Sequence, residues 1–151
     1  MSKNEAQKPN PALKPFAALI GEWTSIGTHP MVPGKTFHGH ATFEWIEGGA
    51  FLMLHSQIDE PEIPSGICII GSDDKDGKFY MLYFDERGVS RKLDVSIEGN
   101  IMHWSRETPK FSQHMEFTVS TDGKTIMSKG VMQRNGGAWE GDLEQTFTRV
   151  S

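Results

Sequence analysis

The feature that most limits the fold of this chain is its rhythm of short alternating runs, each closed by turn chemistry. After Gly21 no segment sustains a helical period, and good helix formers are scarce, with seven Leu and seven Ala in 151 residues. Strand-like runs recur near 22–29, 36–47, 50–58, 66–72, 78–84, 89–97, 100–107, 111–120, 124–133 and 138–149. Between them lie Gly48-Gly49, Asp76-Gly77, Arg87-Gly88, Gly99-Asn100, Asp122-Gly123 and Asn135-Gly136-Gly137, the residues that tight turns demand. Pro30, Pro33, Pro61, Pro64 and Pro109 also fall between runs, where a missing N–H costs no ladder bond. About ten hairpin-linked strands must bury one face and hide two edges. Closure into an antiparallel up-and-down β-barrel does both.

Residues 1–12 are polar and proline-bearing and read as a disordered tail, leaving 13–151 as a single domain. Leu13, Phe16, Leu19 and Ile20 share one side of a short helical turn that Gly21 can stop. Alternation then sets the inner face. Phe37, Ala41, Phe43 and Trp45 oppose His38, His40, Thr42 and Glu44; Phe111, Met115, Phe117 and Val119 oppose Ser112, His114, Glu116 and Thr118. In the last run Trp139, Leu143, Phe147 and Arg149 oppose Glu140, Asp142, Glu144 and Thr148.

The ends of the barrel carry a resemblance. A helical turn leads into Gly21-Glu22-Trp23, and Arg149 stands near the end of the last strand. This resembles the G-x-W signature of the lipocalin-like (calycin) barrels, with ten strands closest to the nitrobindin and fatty-acid-binding branch. Stretches such as GEWTSIGTH, FEWIEGGAFL and LYFDERGVSR are also similar to small bacterial proteins of unknown function. The resemblance implies that Trp23 plugs one end of the barrel and that Arg149 packs over its ring and caps nearby carbonyls. Nitrobindin-like barrels hold heme through a histidine late in the chain. Here no histidine follows His114, which disfavours heme and leaves His55, His103 or His29 as the alternatives.

Composition excludes several classes. A net charge of -5 with no basic cluster argues against nucleic acid. The longest apolar runs, at 67–70 and 50–54, are far too short to span a bilayer as helices, and no secretory leader opens the chain. One cysteine, Cys68 among isoleucines, reads as a buried small hydrophobe and suits a reducing cytoplasm. His38-x-His40 has the spacing of two ligands to one ion, with His29, Glu44 or His55 as a third. The phase that buries Phe37 and Phe43 turns the pair outward, so no metal is expected. Hydrolase, zincin, nucleotide and dinucleotide motifs are absent.

What remains is a polar group in inward phases. Tyr83 and Asp85 follow Phe79 and Met81; Arg91 precedes Leu93 and Val95; Trp104 and Arg106 share a phase on the next strand. Interior Arg and Tyr suit a carboxylate, and the fatty-acid-binding resemblance implies that use. With His55 and His103 as outer candidates, these residues are expected to form a rim site for a small, partly apolar ligand, an anionic one included. Asp85 and Arg91 are expected to pair across the Arg87-Gly88 turn, leaving Arg106 for the ligand. Two other readings stay open: an acid–base enzyme using His55, Tyr83, Asp85 and His103, and a structural barrel with a filled interior. A homodimer through the outer face is left open as well.

Overall fold

The computed structural model describes residues 10–150. Eleven strands lie in one sheet: β1 (Gly21–Thr28), β2 (Phe37–Ile46), β3 (Phe51–Ile58), β4 (Gly66–Ser72), β5 (Phe79–Asp85), β6 (Ser90–Glu98), β7 (Ile101–Arg106), β8 (Phe111–Val119), β9 (Thr125–Arg134), β10 (Trp139–Gly141) and β11 (Glu144–Arg149). Each strand from β1 to β9 pairs antiparallel with the next, and β11 joins β9 to β1, which closes the ring. Because β10 and β11 both lie along β9, they form one interrupted stave. The barrel therefore has ten staves, the number that the turn spacing predicts.

That interruption overturns one sequence expectation. Trp139 pairs with Gln133 and Gly141 with Val131, but Gln145 pairs with Ser128, a shift of one residue. An extra residue in one strand is a β-bulge, and it exchanges inside for outside. Trp139 is consequently on the outer wall and exposed, while Asp142 is buried. Phe147 and Arg149, beyond the bulge, keep the inward phase opposite Ile126 and Lys124. Trp45 departs more mildly: it has the phase of Phe43, yet it sits at the end of β2 and is exposed there.

A 3-10 helix (Pro11–Leu19) covers the end of the barrel where β1 begins. With three residues per turn, Leu13, Phe16 and Leu19 lie directly above one another, and all three are fully buried. Phe16 meets Phe79 edge to face at 4.9 Å. The start of this helix is fixed by Asn10, which accepts from the Ala12 amide and donates to Ser72 Oγ. Residues 10–12 are thus part of the fold, whereas the rest of the expected tail lies outside the described residues. Gly21, at φ 136°, makes the turn from helix into β1, a conformation that an L side chain resists. No helix among the described residues is long and apolar enough to cross a membrane.

Trp23 is fully buried beneath this helix, and its Nε1 donates to Leu19 O at 2.9 Å. The core around it comprises Phe43, Leu52, Ile70, Met81, Met102 and Ile126 among others. Apolar side chains fill this half of the barrel. The opposite end, ringed by the loops after β1, β3, β5, β7 and β9, collects the polar inward residues.

Candidate functional site

Ladder register brings the polar residues to that end. Tyr83 on β5 lies opposite Arg91 on β6, and Arg106 on β7 lies opposite Gln113 on β8. One position deeper, Trp104 is flanked by Val95 and Met115. Strand alternation points these side chains inward, with Cys68, Leu93 and Met115 as their neighbours in phase. The structure thus brings together Tyr83, Asp85, Arg91, Trp104 and Arg106.

The charges pair differently from the sequence expectation. Asp85 is buried, and its carboxylate accepts from Arg87 (2.7 Å to Nη2, with Nε and the backbone N–H also donating) and from the Tyr83 hydroxyl at 2.6 Å. Arg87 replaces Arg91 as the partner because the tight turn folds its backbone and side chain back onto residue 85. These bonds, Arg87's foremost, hold the Asp85 pKa down to about 2. Burial first, then the neighbouring carboxylate, pushes the Tyr83 hydroxyl well above its usual value.

Arg91 is left with aromatic faces. Its guanidinium lies 4.7 Å from the Phe111 ring centroid and 5.9 Å from that of Tyr83. Burial chiefly, and the like charge of Arg106 next, lowers its pKa. Among the described residues neither Arg91 nor Arg106 has a carboxylate partner or a hydrogen-bond acceptor. Beneath them Trp104 packs on Phe117 at 4.3 Å, and its buried Nε1 donates to nothing. Three donor groups therefore converge on one end of the barrel without acceptors.

A second polar link lies on the far side of this end. The Asp142 carboxylate accepts from Gln113 Nε2 at 2.6 Å and from the Leu143 amide at 2.7 Å, and it meets His29 Nε2 at 3.1 Å. His29 Nδ1 accepts from the Met31 amide, which assigns the ring proton to Nε2. Sequence reasoning missed this link because the bulge hides the inward phase of Asp142. Gln113 was legible in principle, since it shares the odd-numbered phase of Met115 and Phe117.

The remaining histidines lie elsewhere. His55 and His103 are exposed on the outer wall, in phase with Ile67 and Ser96, apart from the interior group. His38, His40 and His114 are exposed too, and His114 meets Glu107 at 3.0 Å. Two concavities lie outside the interior. One of about 370 Å³ runs along the outer wall past His55, Gln57, Ile67 and Phe84 to Asp85 and Glu86 at the rim. The other, about 420 Å³, lies between the loop after β1 and the bulge, at Pro30, Val32, Lys35 and Glu144.

These features define a closed antiparallel ten-stave β-barrel, plugged at one end by Trp23 and lined at the other with donors that lack acceptors. The chain belongs to the family described as Protein of unknown function (DUF1579), whose pattern matches residues 8–149. Among solved structures it is similar to Rv2717c from M. tuberculosis, with a TM-score of 0.70 and 14% identity over 95% of this chain and 100% of that one. The S-type phycobiliprotein lyase CPES from Guillardia theta is similar at a TM-score of 0.57 and 11% identity, covering 90% of each chain. A protein of unknown function from the DUF3598 family of Nostoc punctiforme matches at 0.53 and 11% identity, over 89% of this chain and 48% of that one. No curated protein matches the sequence closely enough to be significant.

Proposed function

We propose that the barrel binds a small, partly apolar anion, with its charged group at the polar end and its apolar part against the inner wall. The observation that carries this reading is the pair Arg91 and Arg106, directed inward without a carboxylate between them. Two like charges held side by side cost free energy that an anion between them would recover. Trp104 Nε1 adds a donor that only an acceptor from outside the chain, or a water, would satisfy. Ligand sites in barrels lie at the mouth, where a few polar groups fix orientation. The fold shared with a phycobiliprotein lyase fits a barrel that hosts a guest molecule.

Acid–base catalysis has weaker support. Asp85 is held ionised by Arg87 and Tyr83 is held protonated, so neither is poised near neutral pH. Heme has no histidine facing the interior: five imidazoles are exposed and His29 is engaged at both ring nitrogens. The single buried thiol, Cys68, whose pKa burial raises to about 12, suits a cytoplasmic setting.

Calorimetric titration with dodecanoate and with dodecanol tests the reading. Dodecanoate is expected to bind one per barrel and more tightly than its uncharged analogue. Equal affinity for the two would remove the anionic part of the proposal, and no binding of either would support a filled interior.

A further inference from the structure

On most staves the outer wall is polar. The outward residues of β6, for example, are Ser90, Lys92, Asp94, Ser96 and Glu98. Apolar outward residues are most continuous on three adjacent staves, while Ile26 on β1, Met127 and Val131 on β9 and Trp139 on β10 are exposed on the other side of the barrel. Met53 on β3, Ile67 and Ile69 on β4, and Leu82 and Phe84 on β5 all face outward, although the inner faces of the same strands are apolar too. Leu82 and Phe84 remain 36% and 38% exposed. Strands that are apolar on both faces are those covered on both faces. The sequence run Ile67-Cys68-Ile69-Ile70 therefore calls for a cover that the barrel itself does not provide.

The border of this patch points to the occupant. One continuous rung runs Glu44, Met53, Ile69, Leu82, Lys92 across β2 to β6. It has an acid at one end, a base at the other and an isoleucine in the middle. Turned about a two-fold axis along β4, the rung complements itself: Ile69 meets its own copy, Met53 meets Leu82, and Glu44 meets Lys92. The next rung, Thr42, His55, Ile67, Phe84, Ser90, is centred on Ile67 in the same way. Such an axis keeps the facing strands roughly aligned, the usual arrangement of packed sheets. Barrel walls curve apart, so contact centres on three staves, with Glu44 and Lys92 (whose ammonium lies 5.6 Å from the Tyr80 ring centre) as opposite charges at its border.

We infer that the chain forms an isologous homodimer through the outer wall of β3, β4 and β5, with Glu44 of each copy opposite Lys92 of the other. Sedimentation equilibrium on the full chain, over a concentration series, tests this. A dimer is expected that Ile69→Lys or Leu82→Lys dissociates, with the circular dichroism of the barrel unchanged. Glu44→Lys and Lys92→Glu should each weaken association, and the double exchange should restore it. A monomeric wild-type protein would overturn the inference, as would a dimer indifferent to Ile69→Lys and Leu82→Lys. A double exchange that fails to rescue would overturn the two-fold pairing. A chain that dimerises only after removal of residues 1–9 would assign the patch to that segment instead.

Discussion

The guanidinium of Arg149 lies 4.2 Å from the centre of the Trp23 ring, and the two residues are direct partners across the β1–β11 ladder. One stacks on the other while the same guanidinium donates to the carbonyls of Ala18, Ile20 and Gly123. The pair thus ties the covering helix, the first strand, the last strand and the β8–β9 turn at one point. A planar cation with five donors can stack and cap carbonyls together, which an ammonium cannot. Trp23→Ala is expected to cost about 3–5 kcal/mol, the range for truncating a buried aromatic. Denaturant unfolding measures it, and a loss below about 1 kcal/mol would contradict the plug.

Asp85 gives the barrel an acid-sensitive component. Its pKa is depressed from 3.8 to about 2, so its contribution is complete above the higher value and is lost as pH falls through the lower. Arg87 is half exposed, and solvent screening limits the contribution to about 1–2 kcal/mol. Wild-type protein should exceed Asp85→Asn in stability near neutral pH, and the gap should close between about pH 4 and pH 2. A gap that stays constant over that window would show that the carboxylate charge contributes nothing.

Asp142 is expected to matter more to stability than its place beside a short edge segment suggests. Removing its buried carboxylate strands donors from His29, Gln113 and Leu143 at once. Asp142→Ala should destabilise by about 2–3 kcal/mol, since each orphaned buried donor carries a desolvation cost. Hydrogen exchange should quicken at the Met31 and Leu143 amides before the rest of the barrel. Uniform protection would instead mean that the bulge is held by β9 alone.

Hemin should fail to bind stoichiometrically. Titration would reveal an error through a sharp Soret band that a single histidine substitution abolishes. His29→Ala is the decisive variant, because His29 is the buried imidazole among the described residues.

The staves and turns were legible because turn chemistry is local. The pair Asn135-Gly136, both at positive φ in the structure, announces its hairpin from two letters. Inner and outer faces were legible through the middle of each unbroken strand, as from Gln113 to Val119 in β8, but less so at strand ends, where Trp45 is exposed and Ser112 buried. They were not legible at Asp142, because Trp139, Leu143 and Phe147 keep odd spacing through the bulge and imitate an unbroken strand. The interior position of Tyr83, Arg91, Trp104 and Arg106 followed from phase alone. Their pairing did not, because phase says which side chains face inward and leaves open which donor the turn delivers to Asp85.

That last distinction decides the sharpest test of function. With Asp85 committed to Arg87 and Tyr83, both Arg91 and Arg106 are available to a ligand. Arg91 is fixed between the Phe111 and Tyr83 rings, whereas Arg106 stands opposite Gln113, whose amide is already given to Asp142. Replacing Arg106 removes one charge and relieves the repulsion on Arg91, so the fold should hold or gain slightly while the anion site weakens. Arg106→Leu is therefore expected to lower dodecanoate affinity by more than about 1.4 kcal/mol, a tenfold rise in Kd, and to leave dodecanol affinity unchanged. Thermal unfolding of the same variant separates the two effects. Unchanged dodecanoate affinity in a folded Arg106→Leu protein would place the anion elsewhere, and a parallel loss for dodecanol would make Arg106 a packing residue.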